Sequence, residues 1–233
     1  MQCDINRKVF VVSDEEGYEM ETELKYSIDD ERIIQSIMED RMLTSIEKKD
    51  SRETMAMHAV YFDTAESDFQ KNHIAFRIRR EGSRYIATLK RRGIASDGLH
   101  RREEINAPVT EDDFIANPKL SLFAGDELIG DIASEIANKE LIPVMEMNFA
   151  REKFRVDYRG TIMEISVDQG DIVTAGGSCP ICEMEIELYS GSEADLVKLG
   201  KQIQKSYNLK AENTSKYGRG LALLGDQKAD FPV

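Results

Sequence analysis

Charged and apolar positions alternate from Tyr18 to Tyr26, with Glu19, Glu21, Glu23 and Lys25 on one face and Tyr18, Met20, Leu24 and Tyr26 on the other. A period of two predicts a strand, because successive side chains of an extended chain point to opposite sides. The spacing then changes to Ile33, Ile34, Ile37 and Met38, which predicts one helix capped by Asp29 or Asp30 and running to about Ile46. Period two returns at Met57 to Asp63, Ala75 to Arg79, Tyr85 to Lys90 and Arg101 to Val109, with Glu81-Gly82-Ser83 as a hairpin turn. From Glu111 to about Lys139 the chain is acidic and helix-prone, interrupted by Pro118 and Gly125. Strands are predicted again at Val144 to Asp157, Thr161 to Asp168 and Cys182 to Leu188, with turns at Tyr158-Arg159-Gly160 and Asp168-Gln169-Gly170. Ser192 and Asp195 make a capping-box pattern before a helix carrying Leu196, Leu199, Ile203 and Tyr207, and Ser215-Lys216 opens a last segment. Successive hairpins imply an antiparallel sheet. No repeat or linker divides the chain, so residues 1–233 read as a single domain, with a lead over 1–17 and a C-terminal helical segment over 192–233.

Composition narrows the class. The 233 residues are 41% hydrophobic and 32% charged, a soluble globular balance with extra charge. There is no apolar run of membrane length and no basic region leading into a greasy stretch near the start, so the expected compartment is the cytoplasm. The cysteines, Cys3, Cys179 and Cys182, offer no disulfide framework, and Cys179-Pro-Ile-Cys182 reads as a turn leading into a strand. A net charge of -13 argues against nucleic-acid and anionic-membrane partners. Yet between Lys71 and Arg102 ten basic residues face two acids, making that segment +8 and the remainder -21.

The signs also separate by strand. Acids share a face at Glu21 and Glu23 and again at Glu183, Glu185 and Glu187, whereas Arg77 and Arg79 form a basic face. Like charges across neighbouring strands repel, so such strands persist where a cation neutralises the acids and an anion the bases. Carboxylate pairs from two strands supply hard oxygen ligands, a set suited to Mg²⁺ or Mn²⁺. Lys25, Arg77, Arg79, Lys90, Arg102 and Arg151 suit a polyphosphate.

Glu21-Thr-Glu-Leu-Lys25 resembles the ExExK signature of the CYTH proteins, or triphosphate tunnel metalloenzymes. Further similar strings follow in order: Tyr61-Phe-Asp-Thr64, Phe76-Arg-Ile-Arg79, Thr88-Leu-Lys90, Arg102-Glu-Glu104, Phe149-Ala-Arg151, Glu164-Ile-Ser-Val-Asp168, Glu183-Met-Glu-Ile-Glu187 and Ser215-Lys216. The resemblance implies an α+β fold, an eight-stranded antiparallel β-barrel forming a tunnel with helices packed outside. It implies metal binding by Glu21, Glu23, Glu183, Glu185 and Asp168, and substrate binding by Lys25, Arg77, Arg79, Lys90, Arg102, Arg151 and Lys216. Catalysis is expected from Glu21, Glu23, Lys25, Arg77, Arg79, Lys90 and Glu185. Glu104, Glu164 and Asp168 resemble carboxylates that orient the bases or hold a second metal. Arg101 is an alternative to Arg102, and Glu187, an extra acid on the same face, can share with Glu183, while Asp63 and Tyr61 are expected to fix a turn. The implied activity is Mg²⁺- or Mn²⁺-dependent hydrolysis of a small anionic triphosphate, first inorganic triphosphate to pyrophosphate and phosphate. Thiamine triphosphate hydrolysis, cyclisation of ATP to cyclic AMP, and polyphosphate binding without turnover are the alternatives, and a homodimer is left open.

Overall fold

A computed structural model describes residues 19–111, 118, 120–123, 136 and 139–225. The lead and most of the acidic stretch between 111 and 139 lie outside the described residues. Among the described residues nine strands form one antiparallel sheet: β1 (Glu19–Ser27), β2 (Glu53–Thr64), β3 (Ile74–Glu81), β4 (Arg84–Ser96), β5 (Leu99–Val109), β6 (Leu141–Tyr158), β7 (Thr161–Thr174), β8 (Gly177–Ser190) and the two-residue β9 (Lys210–Ala211). Their order is β5-β4-β3-β2-β6-β7-β8-β1-β9, and a further pairing of β1 with β5 closes the first eight into a barrel. Closure leaves every strand of the ring paired on both edges.

Tight turns set the register. Asp97-Gly98 joins β4 to β5 and Arg159-Gly160 joins β6 to β7, and all four residues have positive φ (52°, 78°, 62° and 85°). Such two-residue turns match the twist of paired strands. The strands run further than the sequence pattern predicts. Pro143 lies at the irregular pairing beside Tyr61 and Phe62, and Pro180 pairs with Asp171 inside β8. The expected turn at Asp168-Gln169-Gly170 is absent, because β7 continues to Thr174. Gly170 marks a close approach instead: a Cβ there would lie 2.1 Å from the Asn148 carbonyl oxygen. Cys179 and Cys182 are free and sit within β8 itself, beyond the turn.

Helices cover the outside. The helix expected to reach Ile46 is broken into a 3-10 turn at Glu31–Ile33, α1 (Ile34–Met38) and α2 (Arg41–Ser45). The break falls at Asp40, whose extended backbone and carboxylate start a new helix by accepting from Met42 N–H at 2.8 Å and Leu43 N–H at 3.1 Å. A short α3 (Asp68–Lys71) follows β2, and α4 (Glu193–Tyr207) and α5 (Lys216–Leu223) flank β9, so the C-terminal segment is not purely helical. The capping box of α4 does not form. Asp195 is engaged by Thr161 Oγ1 at 3.2 Å and Arg159 at 3.2 Å, and Ser192 makes no side-chain cap.

The described residues form three apolar clusters. On one outer side Leu24 and Tyr26 of β1 and Met184 and Ile186 of β8 pack under Leu196, Leu199 and Ile203 of α4. On the other, Phe62, Phe76 and Leu89 pack with Phe69, Phe123 and Ile136. The third lies inside the barrel, where Met57, Ala59, Tyr61, Met145, Met147 and Phe149 meet Tyr217 and Leu221 of α5, filling one end. The charged faces of the alternating strands line what remains.

Candidate active site

The interior cavity has a volume of about 440 Å³, and among the side chains on its wall are Glu21, Glu23, Lys25, Arg77, Arg79, Lys90, Arg102, Arg151, Glu185 and Lys216. Every strand of the barrel contributes, since the inward positions of period two converge once the sheet closes. Glu183 and Asp168 stand just behind this wall with no exposed surface. All the residues predicted for metal and substrate therefore face the interior, but they fall into two groups.

The first group is an acid nest. Asp168 pairs directly with Glu183 across β7 and β8, and together with Glu185 it brings carboxylate oxygens within 4.8 Å of one another. Cations surround it: Arg151 binds Asp168 through two 2.6 Å contacts and Glu185 at 2.6 Å, and Lys216 lies 2.7 Å from Asp168 and 2.9 Å from Glu185. Lys216 and Arg219 also contact Glu183. Burial pulls the Glu185 carboxyl up, but Lys216, Lys25 and Arg151 outweigh it and hold the group well below the ordinary range. For Asp168 burial is likewise overcome by Arg151 and Lys216. The donors are hard oxygens, buried and convergent, and so fit a Mg²⁺- or Mn²⁺-type ion.

The second group joins acids to bases. Glu21 accepts from Lys90 at 2.9 Å and from Arg102 Nε at 2.5 Å, and Arg102 also reaches Glu23. Lys90 lies 2.5 Å from Glu104. Lys25 links the two groups, at 3.5 Å from Glu23 and 3.0 Å from Glu185. The five expected metal ligands thus do not form one cluster: Glu21 and Glu23 face Lys90 and Arg102, apart from the nest on β7 and β8.

Arg77 and Arg79 complete the wall differently. Arg79 contacts Glu81 at the mouth, Arg77 donates to the Tyr61 hydroxyl at 3.3 Å, and the Nε atoms of both arginines are buried without a hydrogen-bond partner among the described residues. Burial and then the neighbouring Arg77 charge push the Arg79 pKa down. A cation held below its ordinary pKa, with unspent donors, is a seat for an anion.

The structure resolves the tandem alternatives. Arg102 points inward, whereas Arg101 points outward to Glu193 of α4 at 2.5 Å. Glu187 pairs with Glu164 across β7 and β8, one inward position beyond Glu185 towards the Tyr189 end, and is not part of the nest. Glu164 binds Lys153 at 3.1 Å and Arg155 at 3.4 Å, an ion-pair role. Asp63 fixes the β2–α3 turn by accepting from Thr64, Phe69 and Gln70 N–H groups. Tyr61 does not. It faces the interior and stacks on Tyr217 with ring centroids 5.0 Å apart. Arg219, absent from the sequence prediction, carries no strand-period signal because it lies on α5.

A model of the CYTH domain matches residues 19–221. The chain belongs to the CYTH domain family. It is 30% identical over 169 residues to the inorganic triphosphatase of Haemophilus influenzae, an alignment covering 72% of this chain and 46% of that protein. The CYTH chain therefore spans about half the length of the curated relative it matches. Among solved structures it resembles the Hippeastrum protein HpAC1, a candidate adenylyl cyclase with dominant triphosphatase activity, with a TM-score of 0.61 and 20% identity over 87% of this chain and 95% of that one. A candidate adenylate cyclase of Bacillus halodurans superposes with a TM-score of 0.55, 20% identity and coverage of 87% and 98%. At these identities the likeness speaks for the fold, a closed antiparallel CYTH tunnel.

Proposed function

We propose that this CYTH protein hydrolyses a triphosphate with Mg²⁺ or Mn²⁺, and that inorganic triphosphate, cleaved to pyrophosphate and phosphate, is its first substrate. The observation that carries the reading is the seat at Arg77 and Arg79, whose buried Nε donors lack a partner among the described residues, in the same tunnel as the acid nest. The similarity to the Haemophilus inorganic triphosphatase supports the choice of substrate.

In this reading Arg77, Arg79, Lys90 and Arg102 hold the phosphate chain, with guanidinium groups donating in pairs to its oxygens. Asp168, Glu183 and Glu185 would hold the metal, with Glu21 and Glu23 in the second group, linked to them through Lys25, and the metal would supply Lewis-acid polarisation of a phosphoryl oxygen. Lys25 bridges the two groups and steadies charge as the terminal phosphoryl leaves. Water is the nucleophile, and positioning and charge neutralisation supply most of the rate. The apolar plug around Tyr61, Phe149 and Tyr217 keeps one end of the tunnel dry.

Phosphate release from inorganic triphosphate, ATP and thiamine triphosphate, each with Mg²⁺ and with Mn²⁺, tests the proposal, with cyclic AMP scored in the ATP arm. Metal-dependent release, fastest from inorganic triphosphate and abolished in Glu23→Gln, is expected. Full activity in Glu23→Gln, or no release from any substrate, removes it.

A further inference from the structure

His100 is an interior residue to which the proposed reaction assigns no part. It stands on β5 two residues before Arg102, pairs with Glu23 across β1, and is 1% exposed. Its Nε2 lies 2.7 Å from the main-chain oxygen of Glu212. A carbonyl can only accept, so Nε2 carries the proton and Nδ1 is bare. Nδ1 is buried and has no hydrogen-bond partner among the described residues. Burial, and then the Lys25 charge, pushes the imidazole pKa down to about 4, so the ring is a neutral single donor between Lys25, Glu23 and Arg102.

What the ring holds is the connector between β9 and α5. Glu212, Asn213 and Thr214 include no buried side chain, so this stretch is kept in place by polar contacts rather than packing. Glu212 N–H donates to the Lys25 carbonyl at 3.0 Å, Gly98 N–H donates to Asn213 Oδ1 at 2.8 Å, and Thr214 N–H donates to the Glu212 carboxylate at 2.7 Å. Ser215 then caps α5 by accepting from Gly218 N–H at 3.0 Å. Four residues after Glu212 comes Lys216, whose ammonium meets Asp168, Glu183 and Glu185. The Glu212 main chain is therefore held on both sides of its Cα from the barrel wall, by the Lys25 carbonyl through its N–H and by His100 through its C=O.

We propose that His100 is a positioning residue, which through the Glu212 carbonyl fixes the connector that places Lys216 on the acid nest. The role in turnover rests on the triphosphatase reading, and the placement of Lys216 does not. A side chain of similar volume without a donor would fill the space and leave the part-buried Glu212 carbonyl without its partner, freeing the connector to shift.

The test compares His100→Gln, which keeps an N–H donor, with His100→Met, which does not, each with and without Lys216→Met. In wild-type protein Lys216 is 8% exposed and should acylate slowly, as read by mass spectrometry with exposed lysines as reference. His100→Met should raise that labelling about tenfold, and His100→Gln should leave it near wild type. In phosphate release, His100→Met should lower kcat/KM about tenfold in the wild-type background and less than about twofold with Lys216→Met, since coupled residues do not add. Unchanged Lys216 labelling in His100→Met, or losses from the two substitutions that multiply, overturns the inference. If wild-type protein releases no phosphate from any triphosphate, the functional reading falls, and the labelling arm still judges His100.

Discussion

Replacing Arg79 by methionine should leave the protein as stable as before, or more so, while removing most of its activity. Arg77 and Arg79 alternate on one strand face, so their side chains start about 6.6 Å apart. Two like charges at that distance repel by about 2.5 kcal/mol at an effective dielectric near 20. The Arg79 side chain keeps 16% exposure, and screening lowers the term to about 1–2 kcal/mol. Against this stands the loss of the Arg79–Glu81 pair at the mouth, worth about 0–1 kcal/mol, and Glu81 keeps Arg84 at 3.2 Å. The balance is a change of about 0 to 2 kcal/mol in favour of the variant, or a Tm raised by about 0–8 °C for a chain of this length. With substrate the sign reverses. Two charge-assisted contacts to phosphate at about 1.5–3 kcal/mol each predict a loss of about 10²- to 10⁴-fold in kcat/KM. Thermal melts without ligand and steady-state phosphate release on the same preparation read both quantities. A Tm more than about 5 °C below wild type, with kcat/KM within about tenfold, would show instead that Arg79 serves the fold and not the substrate.

Other substitutions sort neighbouring residues. Arg102→Ala should abolish phosphate release, whereas Arg101→Ala, which loses only an exposed pair with Glu193 worth about 0–1 kcal/mol, should leave kcat/KM and Tm near wild type. Gly170→Ala should lower the Tm markedly by overpacking β7 against β6, at a cost of about 1–3 kcal/mol or more, and a melt at wild-type temperature would contradict the close approach. Asp168 and Glu185 have folded pKa values below their unfolded ones. Their stabilisation is thus complete above about pH 4.5 and is lost as the pH falls through the lowered values; chemical denaturation between pH 3 and 7 should give a shallower acid slope for Glu185→Gln.

Strands were legible because each has two faces with different fates. Glu21, Glu23 and Lys25 alternate with Leu24 and Tyr26, and closure of the sheet sends one set to the tunnel and the other under α4. What period two cannot resolve is a choice between adjacent like residues, so the inward role of Arg102 and the outward one of Arg101 became visible only from the β1–β5 register. Glycine and proline misled where they serve packing: Gly170 and Pro180 read as punctuation but lie inside long strands. The acid nest depends on Asp168 pairing with Glu183, a cross-strand register that no local spacing encodes. Tyr61 looked like a turn residue because it precedes Asp63, yet only Asp63 makes the turn contacts. His100 and Arg219 carry no motif, since one acts through a distant carbonyl and the other sits on a short helix.

The most direct test is a crystal soaked with Mn²⁺ and inorganic triphosphate, with manganese located by its anomalous scattering. A tunnel that binds metal and triphosphate together predicts manganese bound by carboxylates among Asp168, Glu183, Glu185, Glu21 and Glu23, with phosphate density against Arg77 and Arg79. Manganese found only on surface acids, with the interior ion pairs intact and no phosphate in the tunnel, would contradict it.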